Sequence, residues 1–305
     1  MANRIMDPGF GLFSSSKAKR YITDNGATTV VHLNKRWTIS DMYLQLIEIS
    51  WANFFIFVTL SYIGLNIIFG LTYFLIGIES ITEPSGNLFK DFMNGFFFSA
   101  QTVTTVGYGG ISPHGTMANI VSTFEALIGL LSFSFITGLL YGRFARPSAS
   151  VRFSSNMVYR DFKGGKALMF RLMNNRTNMM IKPRVSVSLG ITKGDPLGDF
   201  KREFYQLSLE RDSIQALPTI WTLVHEIDKD SPLYQYSEEE ILALKAELFI
   251  LLEYYDDAYA QEVFKMHSYD FTQIIPNRKF VRSFMYNEDG YLELDHDSLD
   301  MTESV

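Results

Sequence analysis

Two stretches of the chain lack the polar alternation expected of a surface facing water. No charge interrupts Trp51 to Ile78, a run longer than the roughly 20 residues a helix needs to cross a bilayer. A second apolar stretch runs from Thr116 to Gly142, with Glu125 as its one charge. Both predict membrane spans. Between them, Phe92 to Pro113 is uncharged but rich in Thr, Ser and Gly. It is too polar for lipid and predicts a segment packed against protein or water. Residues 87–103 predict a short helix dipping into the membrane from outside, and residues 104–112 predict extended backbone. Ahead of the first span, residues 37–50 place Ile39, Met42, Tyr43, Leu46 and Ile49 on one helical face and Asp41, Gln45 and Glu48 on the other. That pattern suits an interfacial helix, the alternative being an ordinary amphipathic helix in water.

After Ser148 the period changes to two. Val185, Val187, Leu189 and Ile191 alternate with Ser186, Ser188, Gly190 and Thr192, while Leu248 to Leu252 is a continuous apolar run that predicts a strand buried on both faces. Turn-rich breaks at Gly164-Gly165, Gly194-Asp195-Pro196 and Asn287 to Gly290 separate the strands. Ser237 and Glu240 form a capping box for one helix. The plan is a membrane α-helical pore domain of two transmembrane helices plus a pore helix, with a C-terminal all-β sandwich. Its boundaries are a flexible arm at 1–36, an interfacial helix at 37–50, the pore domain at 51–147, the sandwich at 148–295 and a tail at 296–305.

Charge adds the orientation. Lys17, Lys19, Arg20, Lys35 and Arg36 precede the first span, Arg143, Arg146 and Arg152 follow the second, and Lys90 alone lies between. The positive-inside rule then puts both termini in the cytoplasm of a multi-pass protein of the plasma (inner) membrane. The polar first 36 residues give no signal peptide. The 305 residues contain no cysteine, so disulfides and thiolate-bound zinc are out, and the net charge of −6 argues against nucleic acid. No cluster of nucleophile and base, no phosphate loop and no cofactor motif points to an enzyme. No helix carries arginine at every third position, which excludes that kind of voltage sensor.

The chemistry concentrates in Thr105-Val106-Gly107-Tyr108-Gly109, which matches the filter loop of potassium channels. A potassium ion entering a narrow pore must exchange its water shell for protein oxygens. Backbone carbonyls of Thr105, Val106, Gly107 and Tyr108 would bind K+ as the permeant ligand, with no cofactor. Gly107 and Gly109 tolerate the dihedrals that aim successive carbonyls at one axis. The Thr105 hydroxyl adds an oxygen at the inner end, and Val106 and Tyr108 point away to pack on the pore helix. One chain supplies a quarter of each oxygen ring, so the motif implies four-fold assembly.

Phe133, Thr137 and Tyr141 are spaced by four and share a face of the second span, a candidate cavity and gate, with Gly129 and Gly138 as candidate hinges. Lys35, Arg36, Arg143 and Arg146 sit at headgroup depth as candidate lipid contacts. Glu125 either supports the region behind the filter or bonds to polar groups of the pore helix. His114 is a candidate external pH sensor or simply exposed, and His225 reads as structural.

The filter, Gly142 to Pro147 and His225 to Tyr234 together resemble the inward-rectifier potassium channel family, particularly its prokaryotic branch. The resemblance implies a homotetramer, a slide helix at residues 37–48, an immunoglobulin-like cytoplasmic domain that prolongs the pore, and modulation by anionic phospholipids. It puts the narrowest closed point at Tyr141 and matches Glu253 and Asp257 to carboxylates lining the cytoplasmic pore, against the plainer reading of a solvated strand edge. Ba2+ is the expected blocker. Block by Mg2+ or polyamines should be weak, since Phe133 stands where strong rectifiers carry an acid. The family's ion pair between a pore-helix Glu and a base beyond the filter is also missing, with Gln101 as the filter-supporting position and Gly110-Ile111 after the filter. A reading of another class is a non-conducting membrane anchor with a sensory sandwich; the intact filter argues against it.

Overall fold

The computed structural model describes residues 3–14, 20–23, 26, 28–146, 149–194 and 200–305. Lys17, Lys19, Pro147 and the Asp195-Pro196 turn lie outside them. The chain forms two compact units, residues 34–146 and residues 1–33 with 147–305.

The first unit is helical. Helix α1 (Ile39–Glu48) starts at Thr38, whose hydroxyl accepts from the Asp41 amide while the Asp41 carboxylate accepts from the Thr38 amide. This reciprocal pairing satisfies two amides that a helix start leaves bare. Lys35 pairs with Asp41 at 2.7 Å. Together Lys35 and Thr38 hold the Asp41 carboxyl down at about 2. Helix α2 (Trp51–Ile76) and helix α4 (Gly115–Ala145) are the two helices long and apolar enough to span a membrane among the described residues. Helix α3 (Leu88–Val103) lies between them, capped by the Asn87 side chain. The helices approach closely where glycine allows it. A Cβ on Gly70 of α2 would meet the Phe96 backbone at 2.9 Å, and one on Gly95 of α3 would meet the Gly70 carbonyl at 2.8 Å.

The second unit is a β-sandwich. Two strands of the N-terminal arm, β1 (Arg4–Ile5) and β2 (Phe13–Ser14), precede β3 (Val151–Phe153), β4 (Met157–Phe162), β5 (Gly165–Asn174) and β6 (Met180–Gly194). Then come β7 (Phe200–Leu207), β8 (Ala216–Leu217), β9 (Ile220–Ile227), helix α5 (Glu238–Ala243), β10 (Ala246–Asp256) and β11 (Gln261–Asp270). Five short strands finish the chain: β12 (Ile274–Pro276), β13 (Arg278–Phe280), β14 (Phe284–Tyr286), β15 (Leu292–Leu294) and β16 (Thr302–Ser304). One sheet has the order β1-β7-β6-β10-β11, with β2 on β7 and β8 on β6; the other has the order β12-β4-β5-β3, with β9 on β5. Pairing is antiparallel except between β12 and β4. The alternating residues Val185, Val187, Leu189 and Ile191 of β6 join Leu248, Ile250 and Leu252 of β10 and Leu168, Phe170 and Leu172 of β5 in one buried core.

Two expected boundaries change. The described part of the arm is not a free tether: Arg4 and Ile5 pair with Tyr205 and Phe204, and Phe10 stacks on Phe249 at 4.0 Å. Ile22 is buried beside Phe204 and Phe249. The arm thus covers the outer face of β10, which is why its apolar run continues through Phe249. The expected C-terminal tail is also part of the domain, because Thr302 to Ser304 pair with Phe280 to Arg278. Neither edge was visible in the sequence, since two- and three-residue strands are too short to show a period.

Candidate functional site: the ion filter and its supports

The candidate filter hangs from the C-terminus of α3. The Thr105 amide donates to the Thr102 carbonyl at 3.1 Å, and the amides of Val106 and Gly107 both donate to the Gln101 carbonyl, at 2.9 and 3.3 Å. Gln101 therefore supports the filter through its backbone. Thr105, Gly107 and Gly109 have φ of 62°, 53° and 80°, and Val106 and Tyr108 between them do not have positive φ. In an ordinary strand successive carbonyls point to opposite sides. Dihedrals that alternate in hand turn every carbonyl to one side, which is what a file of cation sites needs. The positive φ at Thr105 was not anticipated: a β-branched residue there is a genuine outlier and stores backbone strain.

Val106 and Tyr108 depart from expectation. They are 51% and 80% exposed in the single chain, so their own pore helix leaves most of the Tyr108 side chain and about half of Val106 uncovered. Behind the filter, Gly95, Ser99 and Val103 of α3 are four apart and form one stripe. Gly95 meets Gly70 of α2, and Val103 leaves no room for a side chain on Gly129 of α4. Between them the Ser99 hydroxyl lies 2.9 Å from Asn66 Oδ1 and 2.5 Å from Glu125 Oε1. The Tyr73 hydroxyl donates to Glu125 Oε2 at 2.6 Å. Glu125, Asn66, Ser99 and Tyr73 are all fully buried. The sequence pointed to Glu125; its partners Tyr73, Ser99 and Asn66 come from three-dimensional proximity alone.

On α4, Phe133 and Tyr141 are 71% and 75% exposed, and the Thr137 hydroxyl returns to the Phe133 carbonyl. These residues line the same bare face. The two hinge candidates separate. A Cβ on Gly129 would run into the Val103 backbone, whereas a Cβ on Gly138 would meet nothing within 4 Å.

The basic candidates also separate. Arg143 donates to the carbonyls of Leu46, Ile47 and Ile49 at 2.7–2.9 Å. Its guanidinium lies over the rings of Trp51 and Phe54 at 4.5 and 4.7 Å. It satisfies carbonyls that the end of α1 leaves bare. Arg146 pairs with Glu48 at 2.8 Å, and Lys35 is held by Asp41.

A family model described as the inward rectifier potassium channel C-terminal domain matches residues 151–305, and an ion channel model matches residues 62–145. The inward rectifier potassium channel Kirbac3.1 of Paramagnetospirillum magnetotacticum is 35% identical, over 93% of this chain and 96% of its own length. The chain belongs to the inward rectifier potassium channel family. Similarity extends to the ATP-sensitive inward rectifier potassium channel 12 of Gallus gallus, 24% identical over 98% of this chain and 76% of that one. The G protein-activated inward rectifier potassium channel 3 of Homo sapiens is 25% identical over 94% and 78%.

In this inward rectifier the acidic candidates of the sandwich sit at the end of β10. Glu253 lies 3.6 Å from Arg184, and Asp257 accepts from Asn178 at 3.2 Å. Both therefore have partners within one chain. His225 is structural: its Nδ1 lies 2.7 Å from the Ser208 carbonyl, and its Nε2 lies 2.8 Å from the Ser231 hydroxyl. A carbonyl only accepts, so Nδ1 carries the proton and Nε2 accepts from Ser231. His114 stays near Ser112, at 3.4 Å between Nε2 and Oγ. Its amide is tied to the Ser80 carbonyl at 2.7 Å.

Proposed function

We propose that this potassium channel of the inward rectifier family works as a homotetramer, conducting K+ passively through four copies of Thr105 to Gly109. The observation that carries this reading is the alternation of backbone hand along the filter. The bare Val106 and Tyr108 side chains support the assembly, because a second chain's pore helix is the apolar surface that would cover them. Both termini face the cytoplasm in this reading, and Glu253 and Asp257 of the sandwich concentrate cations there. Tyr141 forms the inner gate: four rings at one level leave an apolar constriction that closes by dewetting. Anionic phospholipid acts through Arg36, and through Arg146 and Lys35 when they exchange their carboxylate partners for headgroups. Arg143 serves as the latch between α1 and α4. Phe133 gives internal Mg2+ and polyamines no charge to hold, so their block is weak.

Rubidium uptake into liposomes holding the purified protein tests the proposal. Uptake should be blocked by Ba2+ and should greatly exceed that of sodium. Equal passage of sodium and rubidium would refute filter selectivity, and a monomer or dimer by mass would refute the assembly.

A further inference from the structure

Where the family pairs a pore-helix Glu with a base beyond the filter, this chain has the uncharged Gln101 and Gly110-Ile111. A carboxyl group is nevertheless buried directly behind the filter. Glu125 is 0% exposed, and its side-chain partners are Ser99 and Tyr73. Helix α2 holds no charged residue, and the cation of α3, Lys90, lies nine positions before Ser99, about 13 Å along the helix. The nearest cation on the same helix is Arg143, at its far end. The titratable group facing Glu125 from α2 is Tyr73; α3 presents only the Ser99 hydroxyl. An ionised carboxylate without a cation in such a place is very costly.

Counting hydrogens gives the same answer independently. Four contacts form one chain: Tyr73 to Glu125 at 2.6 Å, Glu125 to Ser99 at 2.5 Å, Ser99 to Asn66 at 2.9 Å, and Asn66 to the Tyr62 carbonyl at 2.7 Å. The Tyr62 carbonyl only accepts, so the Asn66 amide nitrogen must face it and the Asn66 oxygen must face Ser99. Ser99 has one hydrogen for two neighbouring oxygens. If Glu125 were ionised, one of those contacts would join two lone pairs. A hydrogen lies in all four contacts when Glu125 itself carries a proton, donates it to Ser99, and leaves the Ser99 hydrogen for Asn66.

We propose that Glu125 is a proton-carrying positioning residue of the filter, a neutral carboxylic acid that ties the pore helix to both spans through Ser99, Asn66 and Tyr73 in place of an ion pair. It acts through Ser99, midway along the Gly95–Ser99–Val103 stripe, and Val103 is two residues from the first carbonyl of the filter.

The proposal rests on the conducting-filter reading, and one pair of measurements on the full-length channel separates the two. Infrared spectra of wild type at neutral pH should contain the C=O stretch of a protonated carboxyl that Glu125→Gln removes; this readout needs no conduction. In liposomes, Glu125→Ala should lower the preference for rubidium over sodium by about tenfold, the scale of one lost buried hydrogen bond. Glu125→Gln, which keeps a neutral donor and acceptor in the same shape, should restore that preference. Ser99→Ala should lower it as Glu125→Ala does, and serves if the latter fails to assemble. Absence of the infrared band, a Gln variant as unselective as the Ala variant, or full selectivity in Ser99→Ala would overturn the proposal. Wild-type protein that takes up no rubidium would instead overturn the filter reading.

Discussion

Thr105 is held at φ 62°, a backbone state that costs a β-branched residue about 1–3 kcal/mol. The amide bonds into the carbonyls of Thr102 and Gln101 hold it there. Gly107 carries no such side chain at φ 53°, and an added Cβ would touch nothing in its own chain. The penalty of Gly107→Ala is therefore dihedral, about 1–2 kcal/mol in each subunit, and falls on all four in a tetramer. Rubidium flux should be lost in Gly107→Ala and kept in Gly110→Ala, where φ is not positive. In the sandwich, burial holds the His225 imidazole below its ordinary value of 6.5. Folded His225 is neutral, while the unfolded chain gains a proton as pH falls through 6.5. Stability from this group is thus present above that pH and lost progressively below it. Burial raises the Glu247 carboxyl, which works in the opposite direction. The comparison must therefore be with His225→Gln: the melting temperature of wild type should fall more steeply between neutral pH and about pH 5 than that of the variant.

At the scale of elements, α4 divides at its glycines. The half containing Gly129 lies against the pore helix, while a Cβ on Gly138 would meet nothing within 4 Å in its own chain, so a bend at Gly138 would move the end that carries Tyr141. Tyr141→Ala should raise basal rubidium uptake severalfold without changing selectivity; unchanged uptake in an intact tetramer would move the gate toward Phe133. The same end of α4 is bound to α1. A Cβ on Gly142 would lie 3.0 Å from the Tyr43 hydroxyl, and Arg143 grips three carbonyls. Hydrogen bonds to a charged donor are worth about 1.5–3 kcal/mol each, so Arg143→Ala should unfasten the end of α1. Hydrogen exchange of residues 45–50 should accelerate in lipid bilayers of any charge. Arg143→Lys should not restore protection, because an ammonium lacks the planar fork. Acceleration confined to anionic bilayers would instead mark a lipid contact.

In the whole molecule, the N-terminal arm belongs to the sandwich. Besides its strand pairing, the Arg202 amide donates to the Leu12 carbonyl and the Gln206 amide to the Asn3 carbonyl. Arg20 reaches the Ser268 hydroxyl at 3.1 Å, and the Ser268 hydroxyl reaches Glu247. Truncating residues 1–14 would bare the edge of β7 and the face of Phe249. Ile5 and Phe10 each contribute about 1–3 kcal/mol by burial. The C-terminal domain should then melt several degrees lower and aggregate through its open edge. Unchanged melting would mean that the arm rests on the sheet without stabilising it.

The sequence by itself determined the two apolar helices, the short helix between them, the candidate filter motif and the alternating sandwich strands. Each rests on a signal local in the chain: an uncharged run, a period of two, or a motif of five residues. The capping box at Ser237 and Glu240 was legible for the same reason. What only the tertiary structure decided depends on residues far apart in sequence. Arg143 looks like any membrane-flanking base until α1 ends beside it. Nothing along the helix tells that Gly129 sits against the Val103 backbone. The arm looks unstructured because its strands are completed by hydrogen bonds from β7, almost two hundred positions away. Glu125 shows the limit most clearly. Its charge in an apolar run announced that it must be buried or wet, but its proton follows from one serine hydrogen placed between two oxygens, an arrangement three separate helices create.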